Sequence, residues 1–212
     1  MFDFKKEYKE FYLPKNVPAL VTVPAANFLT VTGTGDPNEP DGAYQKALAK
    51  LYAVAYTLKM SYKTDYRIKG FYEYVVPPLE GFWNLNGTKL TDKSKLSWIS
   101  VIRLPEFITE EHVQWAKDTA LKKKKLDCSD VALRQIDEGL CVQIMHIGSY
   151  DDEPATVERM TQFMQENVYQ TDFESGRLHH EIYLSDPRKT APEKLKTVIR
   201  LPVRNMKGAS AE

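Results

Sequence analysis

The chain reads Val-Ile-Arg-Leu-Pro at residues 101–105 and reads the same again at residues 198–202. Three further features precede each copy in the same order: a glycine, a Glu-Pro pair, and a strand-like segment with a glutamate near its start. In the first half these are Gly35, residues 39–40 and Glu73, and in the second half they are Gly148, residues 153–154 and Glu181. A repeat of this kind indicates one supersecondary unit that occurs twice in the chain.

The hydrophobic patterns around these markers predict matching elements in the two halves. Short alternating runs joined by tight turns predict strands, and apolar residues at helical spacing predict one amphipathic helix in each half. The predicted elements are 19–24, 28–32, helix 43–59, 71–76 and 96–103 in the first half, and 131–136, 140–147, helix 155–168, 179–184 and 195–200 in the second. Each half is therefore expected to be a hairpin, a helix and another hairpin. The fold class is α+β, with antiparallel sheets and the helices on one side.

The same patterns predict the domain boundaries. One domain is expected over residues 18–204, containing repeat units at 18–105 and 130–202. A connector helix at 109–122 is predicted between them, because Thr109 can cap a helix whose first turn is acidic. The remaining segments, residues 1–17 and 205–212, are expected to be tails.

Composition excludes several classes of function. The 212 residues include 29 basic and 29 acidic side chains, so no net field attracts the protein to nucleic acid or to an anionic membrane. No window approaches the about 18 consecutive apolar residues of a membrane span, and the first residues lack the apolar stretch of a signal peptide. We therefore expect a cytoplasmic protein in which Cys128 and Cys141 are reduced thiols.

Common catalytic signatures are missing from the sequence. It contains no Gly-x-Ser-x-Gly elbow, no Gly-x-x-x-x-Gly-Lys phosphate loop and no His-Glu-x-x-His zinc motif. The adjacent pair His179 and His180 is a weak metal signal, because neighbouring residues of a strand point to opposite faces. The sequence therefore predicts neither a cofactor nor a metal.

Strand alternation draws attention to Glu181. In the predicted strand 179–184, Glu181 shares a face with His179 and Tyr183, while Ile182 and Leu184 share the other. The aliphatic face is expected to meet the helix, which would place the carboxylate on the face opposite the helices. Two interpretations follow. Glu181 either lies in a cleft with aromatic walls that binds a flat ligand, including a cationic one, or lies on an exposed sheet face where it pairs with a lysine.

Three segments resemble the GyrI-like small-molecule-binding proteins: residues 75–83, 137–148 and 179–200. The resemblance extends over about residues 17–204. It implies two tandem units packed as a pseudo-dimer around a central ligand groove, an arrangement that also occurs in effector domains of multidrug-responsive transcription activators. Some stand-alone members hydrolyse cyclopropane-bearing DNA-alkylating natural products.

The resemblance also implies roles for individual residues. The groove carboxylate of the family corresponds to Glu181, which would act as general base on a water, with Tyr56 as the predicted tyrosine hydrogen-bond donor. The predicted ligand-contacting residues are Trp83, Trp98, Met145, Tyr150, His179 and Tyr183.

The sequence thus predicts a stand-alone binder of bulky planar aromatic molecules, including cationic ones, that detoxifies cyclopropane-bearing compounds by hydrolysis. It is expected to be a monomer or weak dimer that does not bind nucleic acid or membranes directly. A ligand-sensing regulatory domain that acts through a partner is the alternative. A third hypothesis is a protein-interaction module, which would present a flat polar sheet face.

Overall fold

The structure is a computed structural model, and it describes residues 1–84, 95–173 and 177–206. The helices, in chain order, are α1 Phe4–Glu7, α2 Lys9–Tyr12, α3 Ala43–Lys59, α4 Glu110–Lys124 and α5 Glu153–Glu166. The strands are β1 Ala19–Val23, β2 Ala26–Thr34, β3 Glu80–Asn84, β4 Ser97–Arg103, β5 Ala132–Ile136, β6 Gly139–Ile147, β7 Tyr169–Thr171, β8 His179–Tyr183 and β9 Lys196–Asn205. Within the described residues, no helix is both long and apolar enough to cross a membrane.

The chain divides into two compact units. The first contains residues 1–7 and 26–136, and the second contains residues 8–25 and 137–212. Both units are mixtures of helices and antiparallel strands, which confirms the predicted α+β class.

The first unit contains an antiparallel sheet in the order β3-β4-β2-β5. Helix α3 packs on β2 and β4 with a stripe of small and aliphatic residues that includes Ala47, Leu51 and Leu58. These residues recur at helical spacing, so they form one buried face of the helix. Helix α4 is the predicted connector helix, and it ends at Lys124.

The second unit contains an antiparallel sheet in the order β1-β6-β9-β8, and β7 pairs with the end of β9. Helix α5 packs on this sheet through Met160 and Met164. Its partners in the buried cluster are strand residues of β6 and β9: Val142, Ile144, Ile199, Leu201 and Val203. These residues define the α5 side of the sheet.

The first hairpin predicted in each half is wrong in its pairing. Strand β1 pairs with β6 and not with β2, while β5 pairs with β2 and not with β6. Each unit therefore contains one strand from the other half of the sequence. The connections at 24–25 and 137–138 carry the chain from one unit into the other instead of turning it back, and local alternation carries no information about which strand will be the partner.

The strand predicted at 71–76 is also wrong. Only Tyr74 forms a bridge there, to Phe2, and the strand that pairs with β4 is β3. Two prolines at 77–78 explain the shift, because proline has no N–H to donate to a sheet. Glu73 is therefore not the counterpart of Glu181.

The N-terminal segment that was predicted to be a tail is packed. Phe4 and Phe11 are buried, and each lies against the arginine of one Val-Ile-Arg-Leu-Pro copy. The Arg103 guanidinium lies 5.3 Å from the Phe4 ring centre in the first unit, and the Arg200 guanidinium lies 5.9 Å from the Phe11 ring centre in the second. The predicted C-terminal tail lies outside the described residues from 207 onward, while β9 extends to Asn205.

Candidate ligand-binding site

Glu181 faces helix α5, which corrects the predicted orientation of its strand. Its cross-strand partner on β9 is Ile199, and Ile199 belongs to the hydrophobic cluster under α5. Directly opposite residues of an antiparallel pair have their side chains on the same face. His179 and Tyr183 therefore share the α5 side with Glu181, while Ile182 points to the other side.

Four side chains of the second unit converge on the α5 side, and we refer to them as the Glu181 cluster: Glu153, His179, Glu181 and Tyr183. His179 Nε2 lies 3.1 Å from Glu181 Oε1 and 3.2 Å from Glu153 Oε1. The Tyr183 hydroxyl donates a 2.8 Å hydrogen bond to Glu181 Oε2. Both carboxylates and the imidazole are buried, so the second unit contains a polar centre beneath the start of α5.

Glu153 reaches this centre because it is the first residue of α5. Pro154 follows it in the first turn, where proline is favoured and where the helix dipole favours a carboxylate. Its Oε1 atom is buried without a hydrogen-bond partner, because the single hydrogen bond from His179 Nε2 goes to Glu181. An orphaned buried carboxylate oxygen is costly, so this atom needs an explanation.

The protonation of the cluster follows from its crowding. Burial, followed by the charge of Glu181, raises the pKa of Glu153, against the opposing effect of His179. Burial alone would lower the pKa of His179, but the two carboxyl groups of Glu153 and Glu181 beside it outweigh burial and raise this pKa to about 10. His179 is therefore an imidazolium at neutral pH, held between two carboxyl groups.

Two tyrosines lie at the more exposed end of the cluster. The rings of Tyr150 and Tyr183 make an edge-to-face contact with centroids 6.0 Å apart. Tyr150 lies in the short 3-10 turn before α5 and is 39% exposed. Burial, together with the charges of Glu181 and Glu153, raises its pKa. An aromatic pair thus lies beside the buried carboxylate of Glu181.

The predicted aromatic residues Trp83 and Trp98 lie in the first unit. They are cross-strand partners, and both contact Tyr44 of α3, with ring centroids 5.9 Å and 5.0 Å apart, respectively. The Trp98 ring lies over Gly33, where an added Cβ would stand 2.3 Å from it. Trp98 Nε1 is buried and has no hydrogen-bond partner. The three rings form a compact aromatic group with one unsatisfied donor.

Two other predicted site residues lie elsewhere. Met145 alternates with Ile144 on β6, so it points to the side of the sheet away from Glu181 and does not join its cluster. Tyr56 lies on α3 in the first unit, is 49% exposed and stacks on Tyr52. Its role as a hydrogen-bond donor stays a prediction.

A second polar group lies on the side of the sheet away from α5, and we refer to it as the Arg200 cluster: Glu138, Gln143, His180 and Arg200. Glu138 Oε1 accepts a 2.7 Å hydrogen bond from Arg200 Nη1, and Glu138 Oε2 lies 2.8 Å from His180 Nδ1. Arg200 Nη2 donates to the Phe11 carbonyl oxygen at 2.7 Å, and Gln143 Nε2 donates to the Glu10 carbonyl oxygen at the same distance. These contacts fix the N-terminal segment on the sheet.

Sequence reasoning missed two residues of these sites, Glu153 and Tyr44. In the sequence, Glu153 stands out only as a marker of the repeat. The signal that could have found it is Pro154, which places the glutamate at a helix start. Tyr44 is the second residue of α3, yet no local pattern links it to two strands far along the chain.

Comparison with known proteins gave one family and several solved structures. The family model described as the GyrI-like small molecule binding domain matches residues 17–204. An uncharacterized conserved protein from Listeria innocua is 50% identical, with a TM-score of 0.91 over 96% of this chain and 100% of that one. A hydrolase from Listeria innocua is 49% identical, with a TM-score of 0.88 over the same shares of the two chains.

A more distant similarity shows the fold alone. The C-terminal domain of EcmrR is 14% identical, with a TM-score of 0.56 over 89% of this chain and 97% of that one. Comparison with the curated proteins gave no match.

Proposed function

The chain belongs to the GyrI-like family of small-molecule-binding domains, and on this basis we propose that it binds bulky planar aromatic molecules and opens the strained ring of cyclopropane-bearing ones by hydrolysis. Glu181 is the central residue of this proposal. The single observation that carries it is a buried carboxylate beside two tyrosine rings, one of which donates a hydrogen bond to it. Such a site suits a flat ligand, and the carboxylate favours a cation.

The proposed hydrolysis assigns roles to three groups of the Glu181 cluster. A water attacks a ring carbon, so that a C–O bond forms and one ring C–C bond breaks. Glu181 takes the proton of the water as general base. The electron pair released by the broken bond takes up a proton at the far end of the opened system. Tyr183 and His179 hold the two oxygens of Glu181, which fixes the direction from which water can approach.

The relatives support the enzymatic part of the proposal. One Listeria innocua relative, 49% identical over 96% of this chain, is described as a hydrolase. Identity at that level over nearly the whole chain makes a shared class of reaction a reasonable proposal for this chain. The ring-opening reaction itself comes from the family resemblance.

The test is the substitution Glu181→Gln, which keeps the size of the side chain and removes its charge and basicity. If the carboxylate binds a cation in a dry pocket, we expect a loss of about 2 kcal/mol, or about 30-fold, in the affinity for a cationic aromatic ligand. If it is the general base, the hydrolysis rate should fall by about 10² to 10⁴ with neutral-ligand affinity little changed. Fluorescence titration and product analysis measure the two quantities.

The matched control is Glu166→Gln, on the last turn of α5, where the exposed carboxylate accepts a hydrogen bond only from Gln162 among the contacts described. It should leave both quantities unchanged. If Glu181→Gln has unchanged affinity and unchanged turnover, Glu181 has no role and the proposal fails.

A second candidate function is a ligand-sensing regulatory domain. The observation that favours it is the fold shared with the C-terminal domain of EcmrR, which is one domain of a longer protein. A sensor would bind the same aromatic ligands without converting them. Binding of a cyclopropane-bearing compound that is recovered intact after many hours would favour the sensor over the hydrolase.

A further inference from the structure

The donor atoms of Glu153, His179 and Glu181 have the arrangement of a three-residue metal site. One imidazole nitrogen and one oxygen from each carboxylate lie within 4.8 Å of one another. The two distances from His179 Nε2, 3.1 Å to Glu181 Oε1 and 3.2 Å to Glu153 Oε1, are close to the edge of a zinc tetrahedron. Bonds of 2.0–2.1 Å place tetrahedral ligands about 3.3–3.4 Å apart.

A second observation points to a missing partner at the same place. Glu153 is 5% exposed, and its Oε1 atom, which is aimed at His179, has no hydrogen bond. One N–H cannot satisfy two carboxylates at once, so the trio is one donor short. A divalent cation in place of the Nε2 proton would contact all three atoms.

From these observations we propose that Glu153, His179 and Glu181 bind one first-row divalent transition metal ion, with Zn²⁺ as the best fit. A mixed set of one nitrogen and two oxygens suits zinc, cobalt and manganese. Magnesium prefers an octahedral oxygen shell that keeps several waters, which a buried site with an imidazole does not provide.

The surroundings support three protein ligands and a fourth open position. The Tyr183 hydroxyl holds the second oxygen of Glu181 at 2.8 Å, as outer-shell partners of metal-binding carboxylates commonly do. Sites with three protein ligands leave the fourth position to water or substrate. The proposal rests on this geometry and does not depend on the proposed function.

The experiment is a titration of the metal-free full chain, after removal of any histidine tag, with Zn²⁺ alone by calorimetry and with Co²⁺ alone by visible absorption. We expect one Zn²⁺ per chain with a Kd in the micromolar range or tighter. The Co²⁺ complex should show the intense visible bands of a tetrahedral site, and Mg²⁺ should not bind at these concentrations.

Variants locate the site. His179→Gln, Glu181→Gln and Glu153→Gln should each weaken Zn²⁺ binding by about 100-fold or more, since loss of an outer-shell partner alone commonly costs 10- to 100-fold. The matched controls are Glu166→Gln and His112→Gln, the latter changing a half-buried histidine whose Nδ1 accepts a hydrogen bond from the Thr109 N–H at the start of α4. Both should bind Zn²⁺ like the wild type.

Two results would overturn the proposal. One is a wild type that binds no Zn²⁺ up to millimolar concentration, a result that needs no variant to fold. The other is unchanged stoichiometric binding in a folded Glu181→Gln or Glu153→Gln variant, which would place the ion elsewhere. Neither experiment contains an organic ligand, so its failure is separate from failure of the proposed function.

Discussion

The two sides of the second unit's sheet carry two buried polar clusters of opposite character. On the side away from α5, the single carboxylate Glu138 contacts a guanidinium and an imidazole. On the α5 side, two carboxylates share one imidazole, and one oxygen of Glu153 has no hydrogen bond. His179 and His180 are consecutive residues, yet each belongs to a different cluster because strand neighbours point to opposite faces.

The difference indicates different roles. In the Arg200 cluster, Arg200 and His180 outweigh the effect of burial and lower the pKa of Glu138 to about 2, so the carboxylate stays charged and matched. The contacts to Phe11 and Glu10 tie that cluster to the N-terminal segment. The Glu181 cluster has an excess of carboxyl groups and no such anchor among the described contacts. We infer that the first cluster holds the fold and the second is poised for an outside partner.

The strongest test of this contrast is Arg200→Met. The substitution leaves Glu138 buried without its guanidinium, and breaking a buried pair in this way costs about 3–5 kcal/mol of the free energy of unfolding. Urea unfolding at neutral pH measures the loss. Arg204→Met, on the same strand but about half exposed, should cost about 0.5 kcal/mol or less. Similar small losses in both variants would remove the structural role of the Arg200 cluster.

The pH dependence of stability should separate the two clusters. His179 has a folded pKa of about 10, above its ordinary 6.5, so its contribution is full below pH 6.5 and is lost as the pH rises through about 10. Glu138 has a folded pKa of about 2, below its ordinary 4.5, so its contribution is present above pH 4.5 and is lost as the pH falls through about 2. Urea unfolding of the metal-free protein across this range should therefore show a loss of stability at each end.

Variants assign the two ends of that profile. His179→Gln should flatten the alkaline end and leave the acid end, and Glu138→Gln should do the reverse. An alkaline loss that persists unchanged in His179→Gln would show that another group causes it.

A smaller effect is expected for Tyr183→Phe. It removes the 2.8 Å hydrogen bond to Glu181, and a bond to a charged group contributes about 1.5 kcal/mol or somewhat more. Thermal unfolding measures it, with Tyr56→Phe as the control because that half-exposed tyrosine should change stability by about 0.5 kcal/mol at most. If both variants behave alike, Tyr183 does not hold Glu181 in place.

The smallest effect should come from Glu153→Gln. This variant removes a carboxyl group that the cluster has in excess, so we expect a change of about 0.5 kcal/mol or less, of either sign. Glu138→Gln removes a matched carboxylate and should be far more destabilising. Urea unfolding measures the loss of stability in each variant. Equal losses would show that the two clusters have the same role.

The sequence predicted the parts of the fold that depend on local patterns. The stripes of α3 and α5 and the strands around the Val-Ile-Arg-Leu-Pro copies follow from apolar periodicity alone. The repeat boundaries themselves stay predictions. The exchange of β1 and β5 was missed, because partner choice between strands over 100 residues apart depends on tertiary packing and not on local alternation.

The orientation of Glu181 shows a different limit. Alternation correctly groups Glu181 with His179 and Tyr183, but it cannot say which group meets the helix. The more hydrophobic face of a strand usually packs against the helix, but that rule gave the wrong orientation here. Ile182 at 1% exposure and Glu181 at 7% are both buried. His180 and Ile182 on one face of the strand are as buried as His179 and Glu181 on the other, so neither side of this strand is solvated.

The strand exchange also suggests how the chain arose. In a protein made of one copy of the repeat, the first strand could not pair with the strand that follows it, so the sheet would be completed only by the same strand of a second molecule. Such an ancestor would have been a strand-swapped homodimer, and exchange of identical elements is a low-cost route to dimers. Gene duplication and fusion would then have turned an intermolecular exchange into an intramolecular one.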